Sequence, residues 1–513
     1  MDSYRKTIII ENGRITAGFP FTNEVKNLKD NFNVAVRRLQ NLLRILQADQ
    51  EKFTLYDETL TSYLQEGIIE EAKNEADSLA TFYLPHRHVW TPTKSTKLRV
   101  VFDASSHAKD ELSLNDVIYE GHSLTPLIHE VLLKFRTHLF TMVADIQKAF
   151  LQIRLPSSHR DVTRFLWVKD ILRPATGNNL KTLRFCRVPF GINASPAILN
   201  QCILKHIEGS NSEISQELSS SLYVDNVFLE GNNADDLLAK YYESKKLFSS
   251  IGMNLRDYLS NSANVNRSIP ESDRATSIDM KVLGIQWNAL GDSISLKCVE
   301  KQSVKVSKRT ILSQINGYCF DPLGLLTPLL LPAKIFLQDL HKKKSGWDAP
   351  LSEEDETTWR AIHAKINGFE ITLPRKVMEK KSSTQHTLSV FVDSSKRAYA
   401  CSIYVTTISC SNRNSRLFTA KSKIAPINKE QTIPRLELLS IFIGLSLAES
   451  TIERINTNFD QINVFTTTLS WFVLWLIVLD LFAMRLRTDV YPCREMDCKR
   501  CHPQPKKLLS LKS

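Results

Sequence analysis

Ser221-Leu-Tyr-Val-Asp225-Asn226-Val-Phe-Leu-Glu230 sets an apolar run, an Asx pair and a second apolar run in line, the pattern of a tight β-hairpin with acid at its tip. Working outward towards the N-terminus, Leu139-Phe-Thr-Met-Val143 reads as a strand that ends near Asp145 and is followed by Ile-Gln-Lys-Ala-Phe150. Either acid alone is what an ordinary strand end or hairpin turn carries. Together they describe something more specific. Two carboxylates presented on neighbouring strands offer the oxygen ligands that hard Mg²⁺ requires, and two such ions about 3.5–4 Å apart serve phosphoryl transfer. The 80 residues between Asp145 and Asp225 fit segments that are separate in sequence and meet in space.

The chain has 513 residues, enough for roughly two to four domains with cores of their own. Hydrophobic residues make up 42% and charged residues 24%, near the globular average, which excludes wholesale disorder, collagen-like structure and a polytopic membrane protein. Lys and Arg number 66 against 55 Asp and Glu, and the net charge of +11 favours a polyanionic partner. Nine cysteines, none before Cys186 and three in the last 21 residues, do not make a secreted disulfide framework and point to a reducing compartment, cytosol or nucleus. Near the N-terminus only Ile8, Ile9 and Ile10 form an apolar run, too short for a signal peptide. The 16 glycines include no GxGxxG or GxxxxGK[ST], so dinucleotide and P-loop chemistry have no support.

Residues 24–74 read as helical, because Phe32, Val34, Val36, Leu39, Leu42, Leu43 and Leu46 recur near a 3.6 period, continued by Tyr56, Leu60, Tyr63 and Leu64. After Pro85 come short β-rich runs such as Leu98-Arg-Val-Val-Phe102 and Thr163-Arg-Phe-Leu-Trp-Val168, with a helical stretch from Leu124 to Arg136, which together predict an α+β domain. The Ser/Asn-rich stretch from Ser260 to Thr276 separates it from Val282-Leu-Gly-Ile-Gln-Trp287. A Pro-punctuated segment, Asp321 to Pro332, opens a connecting region, and another α+β unit starts near Leu388.

Seven motifs then stand in register: Tyr83-Leu-Pro-His-Arg-His, Lys97-Leu-Arg-Val-Val-Phe-Asp-Ala-Ser105, Leu112-Ser-Leu-Asn-Asp116, Val143-Ala-Asp-Ile-Gln-Lys-Ala-Phe-Leu-Gln-Ile153, Arg164-Phe-Leu-Trp167, Arg184-Phe-Cys-Arg-Val-Pro-Phe-Gly191 and Tyr223-Val-Asp-Asn226. In order and spacing the chain resembles the reverse transcriptase of BEL/Pao-type LTR retrotransposons over about residues 25–465. Lys281-Val-Leu-Gly-Ile-Gln-Trp287 and Phe320-Asp-Pro-Leu-Gly-Leu-Leu-Thr-Pro328, continued by Leu331-Pro-Ala-Lys334, resemble the segment known as Pao retrotransposon peptidase.

The resemblance implies an α+β fold with an N-terminal helical region (1–79), fingers and palm (80–290), a connection (291–385), a partial RNase H-like domain (386–468) and a divergent tail (469–513). It implies an RNA-directed DNA polymerase that uses Mg²⁺ or Mn²⁺, an RNA or DNA template-primer and deoxynucleoside triphosphates. Asp145 and Asp225 are then the metal-binding acids, and Asn226 stands where many polymerases have a further Asp. Phe150 takes the steric-gate position. Lys97 and Arg99 would grip the triphosphate, with Arg99 favoured for its bidentate guanidinium. Phe190 and Gly191 would bring backbone close to the nucleotide base, and Leu283, Gly284 and Trp287 would belong to the primer grip. Without the family context these residues read as a core aromatic, a solvated strand charge, a loop before a helix and a buried strand.

Asp393, ending Ser389-Val-Phe-Val-Asp393, and Glu437, in Pro434-Arg-Leu-Glu437, resemble the first two acids of a retroelement RNase H. Where the third is expected the chain has Thr467-Thr468-Leu469-Ser470-Trp471, so loss of RNase H activity is expected. Leu469 to Ala483 is nearly all apolar but shorter than the roughly 20 residues that cross a bilayer. Cys493, Cys498, Cys501 and His502 could ligate Zn²⁺, but at a spacing foreign to fingers and knuckles. Two alternatives stay open: a decayed copy that only binds nucleic acid, and an aspartic peptidase. The second needs Asp-Thr/Ser-Gly turns, and Asp103-Ala-Ser and Asp393-Ser-Ser both lack the Gly.

Overall fold

Ala35, Leu39, Leu42, Leu43 and Leu46 are all buried along one stripe of the helix Phe32–Gln47, as the 3.6 period requires. That helix does not run on to residue 74. Asp49 caps a second helix, Gln50–Gln65, by accepting the Lys52 N–H, and Ile69–Glu71 is a strand. The computed structural model describes residues 2–466 apart from 73–77, 93–96, 120–124, 171–172, 211, 301–305, 380–383, 410–411, 428–430 and 456–457, together with the backbone of Thr488–Pro492. The tail beyond this, with its apolar run and its cysteines, lies outside the described residues, as do Thr467 and Thr468.

The chain divides into two compact units. The first comprises Met1–Leu127 and Phe140–Ile278, the second Ile128–Leu139 and Asp279–Ser513. Residues 2–71 are therefore part of the first unit, and Leu39 and Tyr56 share one core with Phe102, Phe165, Val227 and Tyr258. The boundary expected at 290 falls at 278, and the Ile128–Phe135 helix, shorter than the stretch read from Leu124 to Arg136, belongs with the second unit.

In unit 1 an antiparallel sheet has the order Leu255–Ser260, Phe140–Ile146, Asn226–Gly231, Leu222–Tyr223, with the helix Ala234–Ser249 packed on it. Thr141 to Ala144 are all buried, so the central strand reads as a continuous apolar run rather than an alternation. The stretch read as a spacer after Ser260 instead folds back on the edge strand. Tyr258 N–H donates to Asp273 O at 2.9 Å and Ala275 N–H to Tyr258 O at 3.0 Å, while Asn266 takes up the Ser260 backbone through its amide. Elsewhere in the unit, His86 of the Tyr83-Leu-Pro-His motif accepts from Tyr56 Oη and meets Leu166 O at 2.8 Å. Burial pushes its pKa down to about 4, so the ring is neutral and ties helix, hairpin and sheet together.

Unit 2 holds an antiparallel sheet of Asp279–Val282, Ile285–Asn288, Ser293–Lys297 and Glu370–Pro374, and a five-stranded mixed sheet. In the latter, Asn412–Ile424, Ala398–Ser409 and Gln385–Ser394 are antiparallel, and Gln461–Thr466 and Thr488–Pro492 follow in parallel. The helix Ile433–Ile455 lies against it through Gly444, where a Cβ would come within 2.5 Å of Val392 Cγ1. Arg375, fully buried, is the cross-brace of the smaller sheet: it holds Asp292 through Nε at 2.5 Å and Nη2 at 2.8 Å and donates to Phe135 O and His138 O. A buried guanidinium stripped of its carboxylate is a large cost, whereas removing the charge itself is milder. Asp292→Ala is therefore expected to destabilise unit 2 by about 3–5 kcal/mol and Arg375→Met by less, as read from urea unfolding.

Candidate active site

Sheet register places the two acids. Asn226 lies opposite Asp145, and the Ile146 N–H donates to the Asp225 carbonyl at 2.8 Å. On the other side Tyr223 pairs with Asn226, so Val224 and Asp225 are the two turn residues of the predicted hairpin. Val224 sits at φ +54°, a conformation that costs a β-branched residue on the order of 1–3 kcal/mol. The surrounding sheet pays that strain, and the turn keeps Asp225 beside Asp145.

The electrostatics report the proximity. Burial raises the Asp145 carboxyl, the Asp225 charge raises it further and Asp257 adds to this, while Arg256 opposes; the result is a pKa of about 7. Asp225 is also raised by burial, against the pull of its own N–H and of the Asn226 amide, whose Nδ2 donates to Oδ1 at 2.8 Å. Arg256 Nε lies 3.8 Å from Asp145 Oδ2 and 3.5 Å from Asp257 Oδ2. Two hard oxygen donors that repel one another suit a divalent cation whose other ligands come from solvent and substrate. Among the described residues no group of three or more His, Cys, Asp or Glu side chains is arranged to hold a metal.

Phe150 follows in the short turn Ala149–Gln152, buried, with its ring edge-on to the exposed Phe190 at 5.1 Å between centroids. Gly191 has φ +93°, and a Cβ there would stand 2.1 Å from Phe102 O: the close approach that requires glycine is to the Leu98–Phe102 strand. Within that strand Leu98, Val100 and Phe102 are buried and Arg99 points outward, as alternation predicts. Lys97 precedes the strand and pairs at 3.5 Å with Glu51, both exposed. The structure thus brings Asp145, Asp225 and Asn226 together, and Phe150 with Phe190. It ties Lys97 to a helix instead.

Leu283 and Gly284 belong to unit 2 and form the turn of the hairpin between Val282 and Ile285, with φ +46° and +91°. Trp287 is wholly buried, edge-on to Phe135 at 5.2 Å, with Nε1 3.4 Å from Asp292 Oδ1, so its ring is core. Asp393 is exposed near the end of its strand and Glu437 half-buried in the first turns of its helix. Sequence reasoning missed Arg256 and Asp257. Leu255, Tyr258 and Leu259 were the available strand signal, but a bulge between Arg256 and Leu259, with Asp257 at φ +53°, breaks the alternation that would have exposed it.

Residues 95–258 match the family model of reverse transcriptase (RNA-dependent DNA polymerase), and residues 307–468 match that of the Pao retrotransposon-like RNaseH-like domain. The chain therefore joins a reverse-transcriptase domain to a Pao retrotransposon-like RNaseH-like domain. Its RNaseH-like match begins at 307, so the helices Lys308–Tyr318, Thr327–Lys342 and Glu353–Ile366, read from sequence as connection, fall inside it. The match names that segment RNaseH-like where the sequence resemblance carried a peptidase label. No curated protein matches the chain. Among solved structures, the foamy viral protease-reverse transcriptase dRH in complex with double-stranded DNA aligns with a TM-score of 0.52 at 14% identity, over 85% of this chain and 68% of that one. The foamy viral protease-reverse transcriptase in complex with RNA/DNA hybrid aligns with a TM-score of 0.52 at 12% identity. That alignment covers 91% of this chain and 56% of the other, and at such identity the likeness is one of fold. No helix among the described residues is long and apolar enough to cross a membrane.

The raised Asp145 carboxyl makes a prediction about stability. Its folded pKa, about 7, lies above the unfolded value near 4, so the folded chain holds a proton that the unfolded chain has released. The resulting stabilisation is complete below about pH 4 and lost as pH rises to about 7. Asp145→Asn, neutral throughout, is expected to raise the Tm of the metal-free protein at pH 8 by roughly 2–4 °C, by less at pH 5, and not at all below about pH 4, as read from thermal melts in chelator.

Proposed function

We infer that this chain extends a primer on an RNA or DNA template by two-metal nucleotidyl transfer from deoxynucleoside triphosphates. The observation that carries the reading is the register that sets Asp145 beside Asp225, both carboxyls raised, at one end of the sheet. Asp145 and Asp225 hold Mg²⁺ or Mn²⁺. Bound there, the ions supply Lewis-acid activation of the primer 3′-hydroxyl and neutralise charge at the leaving pyrophosphate. The residues contribute orientation. Asn226 fixes the Asp225 carboxylate through its amide, and Arg256 balances the charge of Asp145. Phe150, braced edge-on by Phe190, forms a floor against which a sugar packs and a 2′-hydroxyl is refused. Arg99, exposed on the fingers strand, is the cation for the triphosphate, with Lys97 in a lesser role because Glu51 already engages it. Leu283 and Gly284, at the tip of their hairpin, are the primer-grip residues that remain once Trp287 is assigned to the core. RNA cleavage is outside this reading, because Thr467-Thr468 stands where a third acid is expected after Asp393 and Glu437.

Primer extension on a heteropolymeric RNA template with Mg²⁺ tests it. Asp145→Asn and Asp225→Asn are each expected to cut the rate by at least about 10²–10³-fold while still binding template-primer. A wild-type chain that binds template-primer and never extends it would mark a decayed copy and end the polymerase reading. Phe150→Ala is expected to raise ribonucleotide incorporation relative to deoxyribonucleotide by about tenfold or more, measured as the ratio of kcat/KM values.

A further inference from the structure

Three segments of unit 1 lie edge to edge, outside the site described above. Thr16 bridges Arg154 in parallel, and Arg154 bridges Arg187 in antiparallel fashion. Ala17 N–H donates to Arg154 O and Arg154 N–H to Ile15 O, each at 2.9 Å; Leu155 N–H reaches Cys186 O at 2.9 Å and Val188 N–H reaches Ile153 O at 3.0 Å. Alternation then sorts the side chains. Ile15, Ile153, Leu155 and Val188 are buried on one face. Arg14, two residues before Thr16, shares the other face with Arg154 and Arg187.

These arginines differ from their neighbours Arg160, Arg164 and Arg184. Arg184 and Arg164 meet Asp161, and Arg160 meets Glu70. Among the described residues neither Arg14, Arg154 nor Arg187 pairs with a carboxylate; the side chain of Arg14 reaches only the Gly252 carbonyl, at 3.4 Å. Arg187 is half-buried, its Nη1 is sealed from solvent without a hydrogen-bond partner, and of the charges that act on it those of Arg154 and Arg14 weigh most, both opposing its own. A half-buried guanidinium with two like charges beside it and no counter-charge is costly, and an anion shared with its exposed neighbours offsets that cost. Rigid forks with free N–H donors match phosphate oxygens. The contact of Arg14 with Gly252 also locates the cluster. Asn254, two residues on, accepts the Gln147 N–H at 2.9 Å, and the strand that follows pairs Leu255 with Ile146 and Arg256 with Asp145. The cluster is therefore at the acid-bearing end of the sheet.

We propose that Arg14, Arg154 and Arg187 bind successive phosphodiesters of a nucleic-acid strand that runs to the Asp145–Asp225 end of the sheet. This rests on the polymerase reading, and it adds a contact site that the acids do not require. Fluorescence anisotropy with the full chain and a labelled RNA/DNA template-primer, titrated at salt between about 50 and 200 mM, tests it. The double variant Arg14→Gln/Arg154→Gln, exposed at both positions, is expected to lower the slope of log Kd against log salt by roughly 1.4–1.8. Arg37→Gln/Arg38→Gln, which removes the same charge from the exposed face of the Phe32–Gln47 helix, is expected to leave the slope unchanged. Equal losses in the two doubles would reduce the effect to net charge and overturn the site. Arg187→Gln is expected to weaken binding with no fall in Tm, because it relieves repulsion; a fall in Tm with unchanged Kd makes Arg187 structural and overturns its part. Unlabelled oligonucleotide should displace the probe where deoxynucleoside triphosphate or inorganic phosphate at equal phosphate concentration does not, and equal displacement would refute a strand site. Failure of the wild-type chain to bind template-primer sinks the polymerase reading together with this one, whereas wild-type binding with unaltered variants sinks this site alone.

Discussion

Two carboxylates held together against their own repulsion are the constraint around which unit 1 is organised. The pairing of Asn226 with Asp145 fixes them, and a slip of one residue in that pairing would turn the Asp225 hairpin to the opposite face and dissolve the site. The fold resists such a slip because Thr141 to Ala144 and Val227 to Leu229 are buried on the paired strands. Hydrophobic burial thus supplies the free energy with which an unfavourable charge arrangement is maintained, and the strain at Val224 is sustained from the same source. The opposing terms are small and local: one amide hydrogen bond from Asn226 and one loose ion pair from Arg256.

What could be read in the sequence follows from how far each signal reaches along the chain. The hairpin was legible because strand alternation and turn chemistry are both local, and Tyr223 to Asn226 carries both. The strand bearing Asp145 was legible as an apolar run, though its length was not, since Ile146 continues the pairing past the acid by meeting Leu255. Arg256 and Asp257 were hidden by a bulge, a device that shifts parity at a position only the partner strand defines. The polar stretch after Ser260 looked like a linker because Ser and Asn satisfy backbone groups equally well in a loop and on a sheet edge; the decision lies with Tyr258, which reaches across to Asp273 and Ala275. Gly191 was expected to admit a nucleotide base, whereas the close approach in the fold is to Phe102, 89 residues away and without a local signature.

Charge shows the same division. A net charge of +11 invites a polyanion, yet it does not say which cations face it. Arg375 and Arg184 are almost completely buried and satisfied by Asp292 and Asp161, so they hold sheets together and contribute nothing to an external ligand. In sequence they are indistinguishable from Arg154 or Arg187. Only the fold separates arginines with an internal acid from arginines without one, and that sorting, rather than the total, determines where negative charge is attracted.

Asn226 can be weighed in the same terms. With Asp145 already lifted to about 7 by burial and by Asp225, a third carboxylate at position 226 would place another negative charge against the pair and raise both carboxyls further. The amide avoids that penalty, donates to Asp225 through Nδ2, and keeps a carbonyl oxygen with two free lone-pair directions. Substituting Asn for Asp at the hairpin therefore lowers the charge available to cations while easing the folding of the metal-free site. Because the paired carboxylates are Asp145 and Asp225, the amide alters the charge of the pair rather than its existence.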